Sequence, residues 1–317
     1  MTPASDHRRL PRIGIDLGGS KTEIIALDAA GQALLRRRVA TPQGDYEATL
    51  ETIAGLVATA EAELRCEGGA SIGVGTPGAL SRATGLMRNC NSTWLNDRPL
   101  PVDLSRRLGR AVAIANDANC FALSEATDGA AANADCVFGA ILGTGVGGGI
   151  VVHGSVLEGI NAIAGEWGHN PLPRPRDDER SGPECYCGRR GCIETYLSGP
   201  GMARDHARST GESLTPETIV ERSQGGDAQC GATISRYEER LARSLAHIIN
   251  VLDPDVIVLG GGLSNLDRLF TNVPKLWQRS VFSDRVDTRL VRPAHGDSSG
   301  VRGAAWLGAG STRHMLP

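Results

Sequence analysis

The chain lacks most of the features that would settle its class at a glance. No apolar run reaches the roughly 18 residues that a membrane-crossing helix needs. Neither sign of charge dominates. The 33 Lys and Arg stand against 36 Asp and Glu, a net of −3, which gives no electrostatic case for nucleic acid or an anionic membrane. Residues 1–12 are polar and basic with no apolar centre and run straight into a strand pattern, unlike a secretory leader. The cysteines do not form a disulfide framework: Cys66, Cys90, Cys120, Cys136 and Cys230 are scattered and read as small buried hydrophobes. A reducing cytoplasm is the expected setting. What remains is ordinary globular composition, 40% hydrophobic and 22% charged. At 317 residues the chain is near the upper limit for one core, so two lobes are expected.

The stretch AVAIANDANCFA (111–122) is the most informative. Ala111 to Ile114 read as a buried strand. From Ala118 the pattern turns helical, through Phe121, Ala122 and Glu125. Asn116 and Asp117 stand between, where open α/β sheets place ligands. An Asp there is also a favoured helix N-cap, and an isolated Asn-Asp pair would read so.

Two glycine-rich tips lie between strands. IGIDL (13–17) and EIIAL (23–27) flank GGSKT; CVFGAIL (136–142) and IVV (150–152) flank GTGVGGG. The first nearly spells a P-loop, but Ser20 separates Gly19 from Lys21 and a strand follows where a helix belongs. The second satisfies G-x-G-x-x-G at Gly143, Gly145 and Gly148, yet again a strand follows, which excludes the dinucleotide fingerprint. Both read as hairpins whose backbone N–H groups can face an anion, with Asp16 suited to a hydrated magnesium ion. Their recurrence suggests two related lobes gripping one polyphosphate.

Other segments are plainer. Helical stripes run over 46–65 and 232–252, and SIGVG (71–75) is a strand ending in the turn TPG. VIVL (256–259) is a buried strand before Gly260, Gly261 and Gly262, a place where a flat base or a helix can approach the backbone. Residues 298–309 form a small-residue helix suited to tight packing. The loop 86–100 is rich in Asn, including Asn91, and carries Trp94; it is either a polyol site or a plain connection. In CYCGRRGCIE (185–194), Cys185, Cys187 and Cys192 with His169 make a closed Cys₃His set for a structural zinc; the alternative is three unrelated thiols.

Taken together, DLGGSK (16–21), the second hairpin (143–149), Gly165-Glu166 with Gly168-His169 and CYCGRRGCIE, and Gly260–Gly262 resemble the ROK family of sugar kinases and repressors over nearly the whole chain. The resemblance implies an α/β, two-lobed actin/hexokinase-like ATPase fold with a ligand cleft between the lobes, here divided as 1–115 and 116–317. It implies Asp117 as general base. Asp16, Gly18, Gly19, Ser20, Lys21, Thr22, Gly143, Thr144, Gly145, Gly147 and Gly148 would serve the phosphates of ATP with Mg²⁺, and Gly261 and Gly262 the adenosine. Gly78, Asn91, Asn116, Glu166, His169 and Glu194 would hold the sugar. His169 would give one ring nitrogen to zinc and one to sugar. NCNSTWLNDRPL (89–100) looks most like bacterial fructokinases of the family, which also accept mannose, so the 6-hydroxyl of fructose is the expected acceptor. N-acetylglucosamine is the alternative sugar. A ROK repressor is disfavoured, because the first hairpin begins at Ile13 with no room before it for a DNA-binding domain. A sugar-binding remnant without turnover is a third reading. Members of the family are often homodimers.

Overall fold

A computed structural model describes residues 10–309. The polar stretch read as no leader, apart from its last residues, lies outside that range. In chain order the elements are β1 (Arg12–Leu17), β2 (Lys21–Leu27), β3 (Ala33–Ala40), α1 (Tyr46–Leu64), β4 (Ser71–Thr76), β5 (Ala79–Leu80), β6 (Met87–Arg88), α2 (Leu100–Leu108), β7 (Ala113–Asn116) and α3 (Asp117–Thr127). There follow β8 (Cys136–Leu142), β9 (Val146–Val152), β10 (Ser155–Val156), α4 (Glu194–Leu197), α5 (Gly199–Thr210), α6 (Pro216–Gln224), α7 (Ala228–Leu252), β11 (Val256–Gly260), α8 (Asp267–Trp277), β12 (Arg289–Val291) and α9 (Ser299–Ala309).

The chain forms two compact units. The first holds residues up to Asp128, Glu158–Ala164 and Asp297 onward; the second holds Gly129–Leu157 and Gly165–Gly296. The division expected at 115/116 therefore falls after Asp128, and the C-terminal helix returns to the first unit. Its physical cause is close approach. A Cβ on Gly303 of α9 would stand 1.6 Å from the Cys120 carbonyl oxygen of α3, and one on Gly73 of β4 would stand 1.9 Å from the Ala304 oxygen. Helix α3 and strand β4 thus share α9, as the small-residue pattern of 298–309 predicts.

Both units use one plan. The first sheet runs β3-β2-β1-β4-β7 and the second β10-β9-β8-β11-β12. In each, an antiparallel meander is continued by parallel strands. This is the duplication expected from the two glycine tips. The stripe of α1 closes the first core, with Leu50, Ile53 and Val57 packed near Ile13, Ile15 and Val74. That of α7 closes the second, where Tyr237, Leu241 and Leu245 meet Phe138, Trp167 and Trp277.

Two boundaries differ from expectation. The strand placed at 111–114 lies two residues later, at Ala113–Asn116. Parallel pairing with β4 fixes it, Gly73 opposite Ala113 through Thr76 opposite Asn116. The second glycine run is less tip than strand: β9 begins at Val146, so Gly147, Gly148 and Gly149 pair with β8 and the turn is Gly143 to Gly145.

Candidate active site

In the first unit, the end of β7 and the start of α3 present the Asn116-Asp117 pair. Asn116, not Asp117, is the N-cap: its Oδ1 accepts the Ala118 N–H at 2.9 Å. Its Nδ2 donates to the Gly78 carbonyl at 3.1 Å, so the amide is committed at both ends and braces the Gly78 turn against α3. Gly78 has φ +78, and a Cβ there would meet the Arg88 carbonyl oxygen at 2.4 Å. Only glycine fits that turn. Asp117 is the first helical residue and is exposed, with Oδ1 accepting the Ala118 N–H at 2.8 Å. Asn91 is exposed on the Asn-rich loop. It is Asn96 that ties this loop, through two hydrogen bonds to the Cys90 backbone.

The first hairpin tip is shaped from inside. Gly18 N–H donates to the Lys21 carbonyl at 3.0 Å, and Thr41 Oγ1 donates to the Gly18 carbonyl at 2.9 Å. Thr22 is fully buried, its hydroxyl 2.8 Å from that of Thr41. Thr22 therefore supports the turn from behind and does not face a ligand, contrary to its expected place among the phosphate contacts. Among the described residues the N–H groups of Gly19 and Ser20 meet no acceptor. Lys21 is exposed beside them. Asp16, at the end of β1, is pushed up to about 6 by burial and then by the Asp117 and Glu23 charges, with Arg38 opposing. Glu23 is taken by Arg36 and Arg38, so Asp16, near the exposed Asp117, is the carboxylate whose chemistry fits a hydrated hard divalent cation.

In the second unit, the tip follows similar rules. Gly143 N–H donates to the Gly145 carbonyl at 3.0 Å, while the N–H groups of Thr144 and Gly145 meet no acceptor among the described residues. The next N–H, that of Val146, donates to Glu194 Oε2 at 2.9 Å, and Gly199 N–H donates to the Gly143 carbonyl at 2.8 Å. The tip is thus bound to the start of α4 and α5. Gly148 points elsewhere: a Cβ there would stand 2.8 Å from both the Gly165 oxygen and Trp167 Cδ1. Gly147 offers its carbonyl to the Trp167 indole N–H at 2.8 Å. Gly147 and Gly148 therefore seat the GEWGHN segment, contrary to their expected place among the phosphate contacts, and the N–H groups left without an acceptor at this tip, among the described residues, are those of Thr144 and Gly145. Gly261, at φ +83, lies against β8: its Cβ would meet the Leu142 oxygen at 2.4 Å, so a neighbouring strand is what that glycine admits. Gly262 is open.

The GEWGHN segment and the cysteine loop meet at one point. One ligand atom each from His169, Cys185, Cys187 and Cys192 lies within 4.8 Å of all the others. Cys187 and Cys192 sulfurs are 3.7 Å apart, and His169 Nδ1 is 3.6 Å from Cys185 Sγ. Four bonds of roughly 2.0–2.3 Å in a tetrahedron fit those separations. Burial, then the neighbouring thiols, push Cys192 up to about 12, so a cation is what would hold three thiolates together. Gly188 and Gly191, both at positive φ, make the turns. His169 Nε2 stands 3.0 Å from the hydroxyl of Tyr186, which is 83% exposed. Tyr186 was not anticipated; its only sequence signal is its place between two zinc-type cysteines. Glu166 is exposed just before His169.

A concavity of about 720 Å³ lies elsewhere, lined by Asp135, Asp253, Asp255 and Arg289 among others. It sits at the N-terminal ends of β8, β11 and β12, opposite the carboxyl ends where such sheets bind ligands.

The fold is that of an actin/hexokinase-like phosphotransferase, with a glycine tip in each unit and, in the first, a carboxylate at a strand end. A model of the ROK family matches residues 12–310. The N-acetyl-D-glucosamine kinase of Photobacterium profundum is 41% identical over 298 residues, spanning 93% of this chain and 98% of that protein. The N-acetyl-D-glucosamine kinase of Vibrio cholerae serotype O1 is also 41% identical, over the same shares. The ROK hexokinase of Thermus thermophilus superposes with a TM-score of 0.83 at 30% identity, covering 94% of this chain and 97% of that one. A ROK family glucokinase from Streptomyces griseus, in complex with glucose and AMPPNP, gives 0.75 at 27% identity, over 94% and 98%. The chain belongs to the ROK family of sugar kinases.

Proposed function

We propose that this chain transfers the γ-phosphoryl group of ATP to the 6-hydroxyl of N-acetylglucosamine, with Asp117 as general base. The observation that carries the chemistry is Asp117 itself, exposed on the first turn of α3 and braced by Asn116. The sugar 6-oxygen attacks the γ-phosphorus, the bond to the β–γ bridging oxygen breaks, ADP leaves, and the hydroxyl proton passes to Asp117 Oδ. Transfer of this kind depends on placement and charge neutralisation more than on covalent help. The unsatisfied N–H groups of Gly19, Ser20, Thr144 and Gly145 would hold phosphate oxygens, with Lys21 beside them. A magnesium ion held through water at Asp16 would supply the remaining positive charge. Glu166, Glu194 and His169 would hold sugar hydroxyls, and Gly262 leaves room for adenosine. The Cys₃His set would hold zinc through His169 Nδ1, fix the ring, and leave Nε2 for the sugar once Tyr186 yields it. Three reduced thiols suit a cytoplasmic setting.

Fructose, expected from the Asn-rich loop, gives way to N-acetylglucosamine. The relatives that support this are 41% identical across nearly their whole length, whereas the loop's Asn91 points only to a polyol in general. Coupled ADP release with a panel of N-acetylglucosamine, fructose, mannose and glucose tests the reading. The highest kcat/KM is expected for N-acetylglucosamine. A higher value for fructose would overturn the substrate, and no ADP release with any of them would overturn the kinase.

A further inference from the structure

A further concavity of the second unit, about 210 Å³, is lined by none of the residues assigned above. Its polar lining is Arg174, Arg176, Glu239, Arg243, Arg279 and Ser280. Four guanidinium groups from three segments, the 171–184 loop, α7 and the turn after α8, thus line one pocket with one carboxylate. Glu239 is paired with Arg176, and its other oxygen is 3.8 Å from Arg279. The buried Glu179 behind the pocket is already taken by Arg240, by Arg243 and by the Arg176 N–H. Arg243 also holds the Pro173 and Arg174 carbonyls, which fixes the loop that carries Arg174. Its Nε is buried and meets no acceptor among the described residues. The Arg174 guanidinium has no acid partner among the described residues.

Arg243 is the one of the four that is mostly buried and fixed by its bonds, while Arg174, Arg176 and Arg279 are exposed. Four guanidinium groups against one lining carboxylate still leave positive charge that calls for an anion. Arginine forks match phosphate oxygens two at a time, which lysine does not do. Size narrows the class. A water occupies roughly 30 Å³ in the liquid, so the space admits a phosphate head and a few further atoms. It falls below the roughly 300–1,000 Å³ of pockets that enclose whole ligands, so a nucleotide does not fit.

We propose that this arginine pocket binds a phosphate dianion, free or as the head of a small sugar monoester. The bound phosphate bridges Arg174 and Arg176 on the loop to Arg243 on α7 and Arg279 in the turn after α8. That loop runs from His169 to Cys185, so occupancy stiffens the segment between two of the clustered ligands.

Calorimetric titration of the full chain at low ionic strength tests the site, with inorganic phosphate as one probe and N-acetylglucosamine 6-phosphate as the other. Mg-AMPPNP and N-acetylglucosamine are present throughout to fill the catalytic groups. The comparison is with the Arg174→Ala/Arg279→Ala double variant. Both side chains are exposed, that of Arg279 at 66%, and neither touches the catalytic groups, so turnover and Tm in phosphate-free buffer stay as in the parent. One equivalent is expected to bind the parent at least tenfold more tightly than the variant. A difference with inorganic phosphate identifies the free anion as sufficient; a difference with the ester alone identifies the monoester. Equal binding to both proteins, or none to the parent, overturns the proposal. Should the kinase reading fail, a separate titration of the parent with Mg-AMPPNP would give no heat, while the difference between parent and variant with phosphate would persist.

Discussion

Gly148→Ala separates the two roles that a glycine-rich hairpin can have. The added Cβ would stand 2.8 Å from the Gly165 oxygen, 2.8 Å from Trp167 Cδ1 and 3.0 Å from Phe138 Cζ. None of these is the loose end of a flexible chain. Gly165 contributes backbone, and Trp167 is 2% exposed with its indole N–H bound to Gly147. Ordinary contact begins near 3.4 Å, so the 165–167 segment must retreat by about 0.6 Å. Overpacking of this kind costs about 1–3 kcal/mol, which lowers Tm by roughly 2–6 °C. Glu166 and His169 move with the segment, and misplacement on the order of 1 Å costs as much as about 100-fold in rate. Steady-state kinetics should therefore show the KM for sugar rising about tenfold or more, with the KM for ATP within about twofold. The reverse pattern, ATP affinity lost and sugar affinity kept, would place Gly148 in the phosphate cradle and refute the packing argument.

Two further outcomes follow from the geometry. Cys187→Ser should reduce bound zinc, by elemental analysis, from one per chain to well below it, with a fall in Tm, because a closed site contributes its binding energy to folding. A zinc-free parent with the same Tm would remove the metal from the account. Asp16→Asn should change how stability varies with pH in chelator without nucleotide. The folded pKa of Asp16, about 6, lies above the unfolded value, so the stability it contributes is full below about pH 4 and lost as pH rises through 6. The Asn variant should match the parent at pH 4 and exceed it at pH 8, by about 2–3 kcal/mol in urea unfolding. A variant no more stable than the parent at pH 8 would contradict the burial of that carboxylate.

The elements legible in the sequence were those whose pattern reports burial directly. The stripes of α1 and α7 and the apolar strands β1, β2, β8 and β11 bury what they advertise. Strand β3 was not legible: it is an exposed edge carrying Arg36, Arg37 and Arg38, and it pairs because Arg36 and Arg38 close on Glu23 of β2. The short polar helices α5 and α6 begin at caps, Ser198 and Thr215, not at apolar stripes. In the site, the Cys₃His cluster was readable because spacing alone nearly dictates it. The glycines were not separable by sequence. A glycine that offers its N–H to an anion and one that admits a tryptophan are the same letter, and only the position of Trp167 tells Gly148 from Gly145.

The central claim is that the Asp117 carboxylate takes the sugar proton, and the Asp117→Asn variant tests it most directly. The amide keeps the shape, and the N-cap at Asn116 is untouched, so the fold and the sugar Kd by calorimetry should be preserved. The coupled assay with ATP and N-acetylglucosamine should show kcat reduced by about 100-fold or more, the usual scale for loss of a positioned base. A variant that binds sugar normally and retains a tenth or more of the parent kcat would contradict the assignment.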